Sequence, residues 1–477
     1  MKTAYVQFGL PPVYTRKIED GGSEGELKKA MEDRGILPVE AGIRTAGDLD
    51  RVVDHLRAEN VSCLVICLKH WTRIALAVRL VRVMNLPTAL YARTTGGFNG
   101  IPALTAVSAV LNEITVEGYG NKHSRFKEGM ETELLLWLEA VAGYVSLRSS
   151  RLLCWGGHYG ADMPYTRSDS DFLESRLVAE ILTEQESVLT ERAEAVLDGQ
   201  PDRAGAFLSW LEEQGVTVVP DGKMITPETL RRQATLYLAA RERLDELEGE
   251  NIRGVSVKCH FELSTTGWGC TACFLPAFLP FSASPGGAEV PIIPTACEGD
   301  LNGLVSLVML HSLRRDVPPL FGDFVEYNPD YVLLRNCGAS SVYWAGKSPA
   351  AADSLRRVEL LPNMHGRSGA AVHYETPEAA EVTAGRLFRH RGVFMMILGK
   401  GRVLAESRTR SYEDPWPHTR VDFGVDNDLL FETYPCNHGA LTRGDVTVQL
   451  ETVCRLADIP VIRMDSEKEL EEWKRKM

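Results

Sequence analysis

The sequence predicts an α/β protein, with two doubly wound α/β domains followed by a C-terminal β-barrel-like domain. Three observations predict it. The chain has 477 residues, more than a single hydrophobic core normally serves. Strand and helix patterns alternate through the first third and restart near residue 148. Beyond residue 316 that alternation gives way to short β-rich runs separated by Gly, Pro and Asp/Asn turns.

In order, "KTAYVQFG" and "VSCLVICL" read as buried strands, the first stopped by Pro11 and Pro12. "TRIALAVRLVRVM" is an amphipathic helix and "PTALYA" the next strand, the pattern of a parallel sheet wrapped by helices. After the helix "METELLLWLEAVAGYVSLR", the strand "SRLLCWGG" opens a second unit. Charged helices are expected over about 172–197 and 227–248, with a strand near "GVTVVP" between them. "NIRGVSVKC" and "EVPIIPTAC" are the next strands. The β-rich part runs through "PPLFGDFVEY", "DYVLLRNC", "AAVHYE", "GVFMMILGKGRVLAE" and "DLLFETYP". The amphipathic helix "GDVTVQLETVCRLADI" then precedes a last strand, "PVIRM". The domains are therefore drawn at 1–147, 148–315 and 316–477.

Hydrophobic content of 44% and 25% charged residues are those of a globular chain. The net charge of −13 comes with no basic stripe, which argues against nucleic acid and anionic membrane as partners. The uncharged stretch from Leu263 to Ala288 is interrupted by Pro276, Pro280 and Pro285 and reads as core and loops. The N-terminal run is too short and interrupted for a signal peptide. With ten cysteines, the expected setting is the reducing cytoplasm.

The stretch "PTACEGDLNGLVSLVMLHSLR" sets two carboxylates between an apolar strand and an apolar helix. Asp300 precedes Leu301, Leu304, Val305 and Val308 at helical spacing and reads as the N-cap. Glu298 has no such explanation. A desolvated charge costs several kcal/mol unless it is paired or metal-bound, and strand C-terminal ends are where open α/β sheets bind ligands. Asp323 lies inside the apolar "LFGDFVEY", and His438 lies in "YPCNHGALTRGD", read as a loop between a strand and a helix. Two carboxylates and one imidazole would suit Mn2+, Mg2+ or Co2+ better than a thiolate-type zinc site. Read singly, Asp323 is equally a turn residue and His438 a structural histidine. Cys259, Cys270, Cys273 and Cys297 contain one CxxC but lack a second, so buried free thiols are expected there.

"ACEGDLNG", "LFGDF" and "NHGALTRGD" together resemble the metal-site framework of the L-fucose isomerase/L-arabinose isomerase superfamily, and more closely its L-fucose isomerase-like branch. The resemblance implies a Mn2+-dependent aldose–ketose isomerase, with Mg2+ or Co2+ as alternative metals. It implies Glu298, Asp323 and His438 as metal ligands, and Glu298 and Asp323 as the proton-transfer carboxylates. The substrate would be a pentose, a 6-deoxyhexose or a C6-modified hexose, worked through an enediolate in a homotrimer or homohexamer with shared active sites. Trp71 would form a wall of a neighbouring subunit's sugar pocket, its indole face suiting sugar C–H groups. Trp416, Trp268 and Asn437 are further substrate-contact candidates. Gly156, Gly157 and Gly160 match the glycine-rich turn that opens the second domain. Relatives often carry a histidine where this chain has Asn336, and Lys258 and His260 stand near the expected pocket. A non-catalytic sugar-binding or regulatory protein on the same fold is the competing reading.

Overall fold

The computed structural model describes residues 1–9, 24–94, 99–113, 122–160, 162–405 and 415–477. Pro11 and Pro12, read as ending the first strand, lie outside the described residues. Two compact units emerge, residues 1–146 with 448–459, and residues 147–447 with 460–477.

The first unit is a five-stranded sheet of β1 (Lys2–Phe8), β2 (Leu37–Ile43), β3 (Cys63–Leu68), β4 (Thr88–Ala92) and β5 (His123–Lys127). Their order is β2-β1-β3-β4-β5 and every pairing is parallel. Alternation along β3 builds two cores at once. Leu64, Ile66 and Leu68 enter a cluster with the helices Ala46–Ala58, Ile74–Met84 and Ile101–Glu113. Cys63, Val65 and Cys67 enter another with the helices Glu24–Glu32 and Glu131–Arg148. That burial on both faces explains why the strand "CLVICL" is apolar throughout. Leu456 joins the second cluster, so the helix Thr447–Leu456 contributes to this unit although the sequence puts it near the other end of the chain.

The second unit begins with β6 (Arg151–Trp155) and β7 (Glu180–Glu184), continues through β8 (Thr217–Val218), β9 (Ile252–Val257) and β10 (Thr295–Ala296), and forms a parallel sheet in the order β10-β9-β6-β7. The expected helix over 172–197 is broken by β7. Residues Ser170–Arg176 and Ser187–Gly199 are helical, and "EILTE" between them pairs with β6 from Arg151↔Glu180 onward. Sheet pairing overrides the local helix preference there.

The rest comprises β11 (Leu320–Asn328), β12 (Tyr331–Arg335), β13 (Glu359–Pro362), β14 (Ala370–His373), β15 (Ala379–His390), β16 (Val393–Val403), β17 (His418–Asp422), β18 (His438–Arg443) and β19 (Val461–Arg463). β8, β13 and β14 make a small sheet. The others form a mixed sheet in the order β15-β18-β11-β12-β17-β16-β19, and β15 also pairs with β16. "DLLFETYP", expected as a strand, is instead the helix Asn427–Thr433, because the Asp426 side chain accepts the Asp428 N–H and caps it. A last helix, Glu467–Lys474, capped by Ser466, follows "PVIRM" in addition to the elements the sequence pattern predicts.

The helix Leu301–Leu313 is buried through its first ten residues. It contacts β9 and β10 as well as β15 and β18, so it ties the parallel sheet to the mixed one. Its burial on all sides is the reason its apolar residues are not confined to one stripe. Among the described residues no helix is long and apolar enough to cross a membrane.

Candidate active site

Antiparallel pairing of β11 with β18 sets Asp323 directly opposite His438. His438 therefore opens a strand rather than occupying the loop expected for it. Its Nε2 lies 3.1 Å from Glu298 Oε2 and 3.4 Å from Asp323 Oδ1. The three residues named from the sequence thus meet around one imidazole nitrogen, Glu298 and His438 buried and Asp323 half-buried.

Glu298 reaches this point from the turn after β10, with its backbone at φ +61°. That left-handed conformation is unfavourable for a side chain larger than Gly and persists only where its surroundings enforce it. Gly160 is part of the enforcement. A Cβ there would sit 2.4 Å from the Glu298 carbonyl oxygen, so only glycine lets the two backbones approach this closely. The glycine-rich turn read from the sequence therefore packs against the turn that carries Glu298.

Asp300 does more than cap its helix. Oδ1 accepts the Gly303 N–H at 2.9 Å and Arg386 Nη2 at 3.1 Å. Oδ2 accepts Arg386 Nη1 at 2.6 Å and His438 Nδ1 at 2.7 Å. All four acceptor positions are used, inside a site where both Asp300 and Arg386 are fully buried. Holding Nδ1–H on a carboxylate directs Nε2 at Glu298 and Asp323, the arrangement by which a second carboxylate orients a metal-binding histidine. Sequence reading missed this role. The available signal was Arg386, a lone guanidinium in the otherwise apolar "AGRLF".

The charges respond accordingly. Burial alone would raise Asp300, but Arg386 and His438 carry it well below the usual carboxylate range. Burial also pushes Glu298 upward, and the His438 and Cys337 contacts reverse that to a net lowering. Asp323 is raised, first by burial and then by the Glu298 charge. His438 loses solvation, yet the facing carboxylates lift it well above its ordinary value.

A divalent cation fits this donor set. Two carboxylate oxygens and a neutral imidazole nitrogen are hard-to-borderline ligands, and a dication would balance the charge of the carboxylates. Glu298, Asp323 and His438 would hold it.

Asn437 touches the cluster, its amide donating to Asp323 Oδ1 and its carbonyl accepting from the Tyr165 hydroxyl. Tyr165, which carried no recognisable signal in the sequence, also reaches His438 Nδ1 at 3.3 Å. Trp416 stacks on His365 with ring centroids 5.3 Å apart, and the Arg335 guanidinium lies 5.1 Å from its ring centre. His365 in turn meets His260 edge-on at 4.9 Å. Trp268 is placed differently. It is 3% exposed, covered by Arg232 at 4.0 Å, and donates Nε1 to the Arg232 carbonyl, so packing occupies its ring. Trp71 belongs to the first unit and is 36% exposed. Asn336 is buried, donating to the Phe321 carbonyl and to Cys297 Sγ. Lys258 is paired with Glu262 at 2.8 Å. Cys259, Cys270, Cys273 and Cys297 are free buried thiols, Cys270 and Cys273 pushed by burial up to about 11 and about 12.

Comparison with known proteins agrees with the resemblance read from the sequence. Residues 334–465 match the L-fucose isomerase C-terminal domain family. A sulfoquinovose isomerase from Alkalicoccus urumqiensis is 24% identical over 247 residues, covering 50% of this chain and 49% of the relative. One from Priestia aryabhattai is 27% identical over 173 residues, covering 35% and 36%. The chain thus spans about half the length, or less, of the curated relatives it matches. Among solved structures, a solute-binding protein from Agrobacterium vitis bound with alpha-D-tagatopyranose aligns at a TM-score of 0.16 and 10% identity, over 54% of this chain and 76% of that one. So loose a likeness carries no argument.

Proposed function

We propose that this protein is a metal-dependent aldose–ketose isomerase that moves a proton between C1 and C2 of a sugar through an enediolate. The observation that carries the proposal is the convergence of Glu298 and Asp323 on His438 Nε2, with Asp300 fixing the other face of the ring. Proton transfer between adjacent carbons needs a base and an acid that exchange roles. Glu298 and Asp323, both within reach of His438 Nε2, are the two carboxylates proposed for these roles. A bound divalent cation would supply Lewis acidity at the sugar's carbonyl and hydroxyl oxygens. Asn437 and Tyr165 would orient those hydroxyls.

For the substrate we propose a hexose with an anionic group at C6. Sulfoquinovose, named for the relatives, is such a sugar, carrying a sulfonate there. Arg335, the cross-strand partner of Asp323 and close to the Trp416 ring, is a cation suited to that end. Mn2+ as the metal and a homo-oligomer with shared sites, to which Trp71 would contribute, belong to the same proposal.

The test is metal stripping, Mn2+ addition and NMR in D2O across pentoses, 6-deoxyhexoses and C6-sulfonated hexoses. Mn2+-dependent interconversion with deuterium entering at C2 is expected, lost by roughly 10²-fold or more in Glu298→Gln and Asp323→Asn. Wild-type turnover in either variant would sink the assignment, and sugar binding without turnover in the wild type would favour a non-catalytic binder. His438→Ala is expected to weaken Mn2+ binding, and an unchanged Mn2+ titration would remove it from the ligand set.

A further inference from the structure

Glu298 has two faces of different chemistry. Oε2 points to His438 in the oxygen-rich cluster, while Oε1 accepts the Cys337 S–H at 2.8 Å. Beyond Cys337 stands His260, its Nε2 3.7 Å from the sulfur. His260, Glu298 and Cys337 offer three ligand atoms that all lie within 4.8 Å of one another. A tetrahedron with zinc bonds of about 2.3 Å to sulfur and 2.05 Å to nitrogen has an S···N edge of about 3.6 Å, close to the observed separation. A void of about 10 Å3, lined by Cys259, His260, Cys297 and Cys337 among others, adjoins the group. That is roughly the space of one water or one ion.

We infer that His260, Cys337 and Glu298 form a second cation site, selective for a thiophilic ion such as Zn2+, which shares its carboxylate with the Asp323–His438 cluster. The selectivity follows from the donors, since thiolate and imidazole suit Zn2+ and leave Mn2+ to the oxygen-rich side. Binding replaces the S–H bond by a sulfur–cation bond. The sulfur keeps the electron pair, and the proton leaves to solvent. The Glu298 charge is then divided between two dications that repel each other, so Zn2+ here weakens Mn2+ on the other face. Zinc is thereby an inhibitor built into the site.

The thiolate arm of the test needs no turnover. Co2+, a spectroscopic substitute for zinc, is titrated into the metal-stripped full chain while the near-ultraviolet thiolate-to-cobalt charge-transfer band is followed. A saturable band, absent in Cys337→Ser and weakened in His260→Ala, is expected. Its absence in the wild type, or its survival in Cys337→Ser, overturns the site. Zinc content after dialysis provides a second check, one equivalent in the wild type and a Kd raised at least tenfold in Cys337→Ser. The competition arm rests on the isomerase reading of the site. Mn2+ affinity, followed by electron paramagnetic resonance, is expected to fall by about tenfold when Zn2+ is bound. Unchanged Mn2+ affinity alongside an intact thiolate band would refute the shared carboxylate, and an intact band in a protein without isomerase activity would refute the isomerase reading alone.

Discussion

Asp323 and Glu298 reach the same imidazole by unlike routes. Asp323 sits within β11, where backbone pairing to β18 sets it opposite His438 and pairing to β12 sets it opposite Arg335. Glu298 sits two residues past a two-residue strand, on a turn at φ +61°. One carboxylate is positioned by sheet register, which many hydrogen bonds share. The other is positioned by what packs against its turn, chiefly Gly160 and the cap at Asp300. The turn side should therefore be the fragile half of the site, and each variant below tests that asymmetry.

The largest effect is expected from Arg386→Leu. It leaves Asp300 as a fully buried charge without its bidentate partner, a change that costs about 3–5 kcal/mol. It also removes part of what holds His438, so metal affinity should fall along with stability. Urea unfolding and Mn2+ titration read the two together. A stability change under about 1 kcal/mol would mean the Asp300–Arg386 pair does not anchor the turn.

Gly160→Ala comes next. Its Cβ would overlap the Glu298 carbonyl at 2.4 Å with backbone rather than a flexible side chain, so the turn has to shift, at about 1–3 kcal/mol. A shift of the Glu298 carboxylate should lower turnover more than it lowers stability. On the strand side, Asn437→Ala deletes the amide hydrogen bonds to Asp323 and Tyr165 and should cost about 1–2 kcal/mol, because register still holds Asp323 in place. An Asn437→Ala variant more damaging to Mn2+ affinity than Gly160→Ala would invert the comparison.

This asymmetry also governs what the sequence made legible. Glu298, Asp323 and His438 stood out because each is a charged or titratable group set against apolar neighbours, a local contrast. The role of Asp300 was hidden because its N-cap position already explained it, and its partner Arg386 lies 86 residues away. Long-range pairing leaves no local signature when both members sit in plausible places. The same holds for β7, where "EILTE" is charged enough to read as helix until β6 offers it a partner. Tyr165 had no signal, since a tyrosine near a proline fits any surface turn. Trp268 misled for the opposite reason, an indole beside glycines whose ring proved to be taken up by Arg232.

The smallest effect sharpens the comparison by pH. Glu186 follows β7 on the side of the glycine-rich turn, with Oε1 buried and without a hydrogen-bond partner, at the place where a Gly156 side chain would project. Burial, with the Glu262 charge adding to it and Lys258 opposing, raises its carboxyl to about 7 from an ordinary 4.5. Between those values the folded protein holds the proton more tightly than the unfolded chain, so stability falls as pH rises through that window. Glu186→Gln removes the ionisation. The variant should match the wild type in melting temperature near pH 4.5, exceed it progressively toward pH 7, and keep a constant lead above that. Parallel melting profiles across the window would show that Glu186 is solvated in the folded protein. The parallel-sheet side of the unit would then hold no uncompensated carboxyl there.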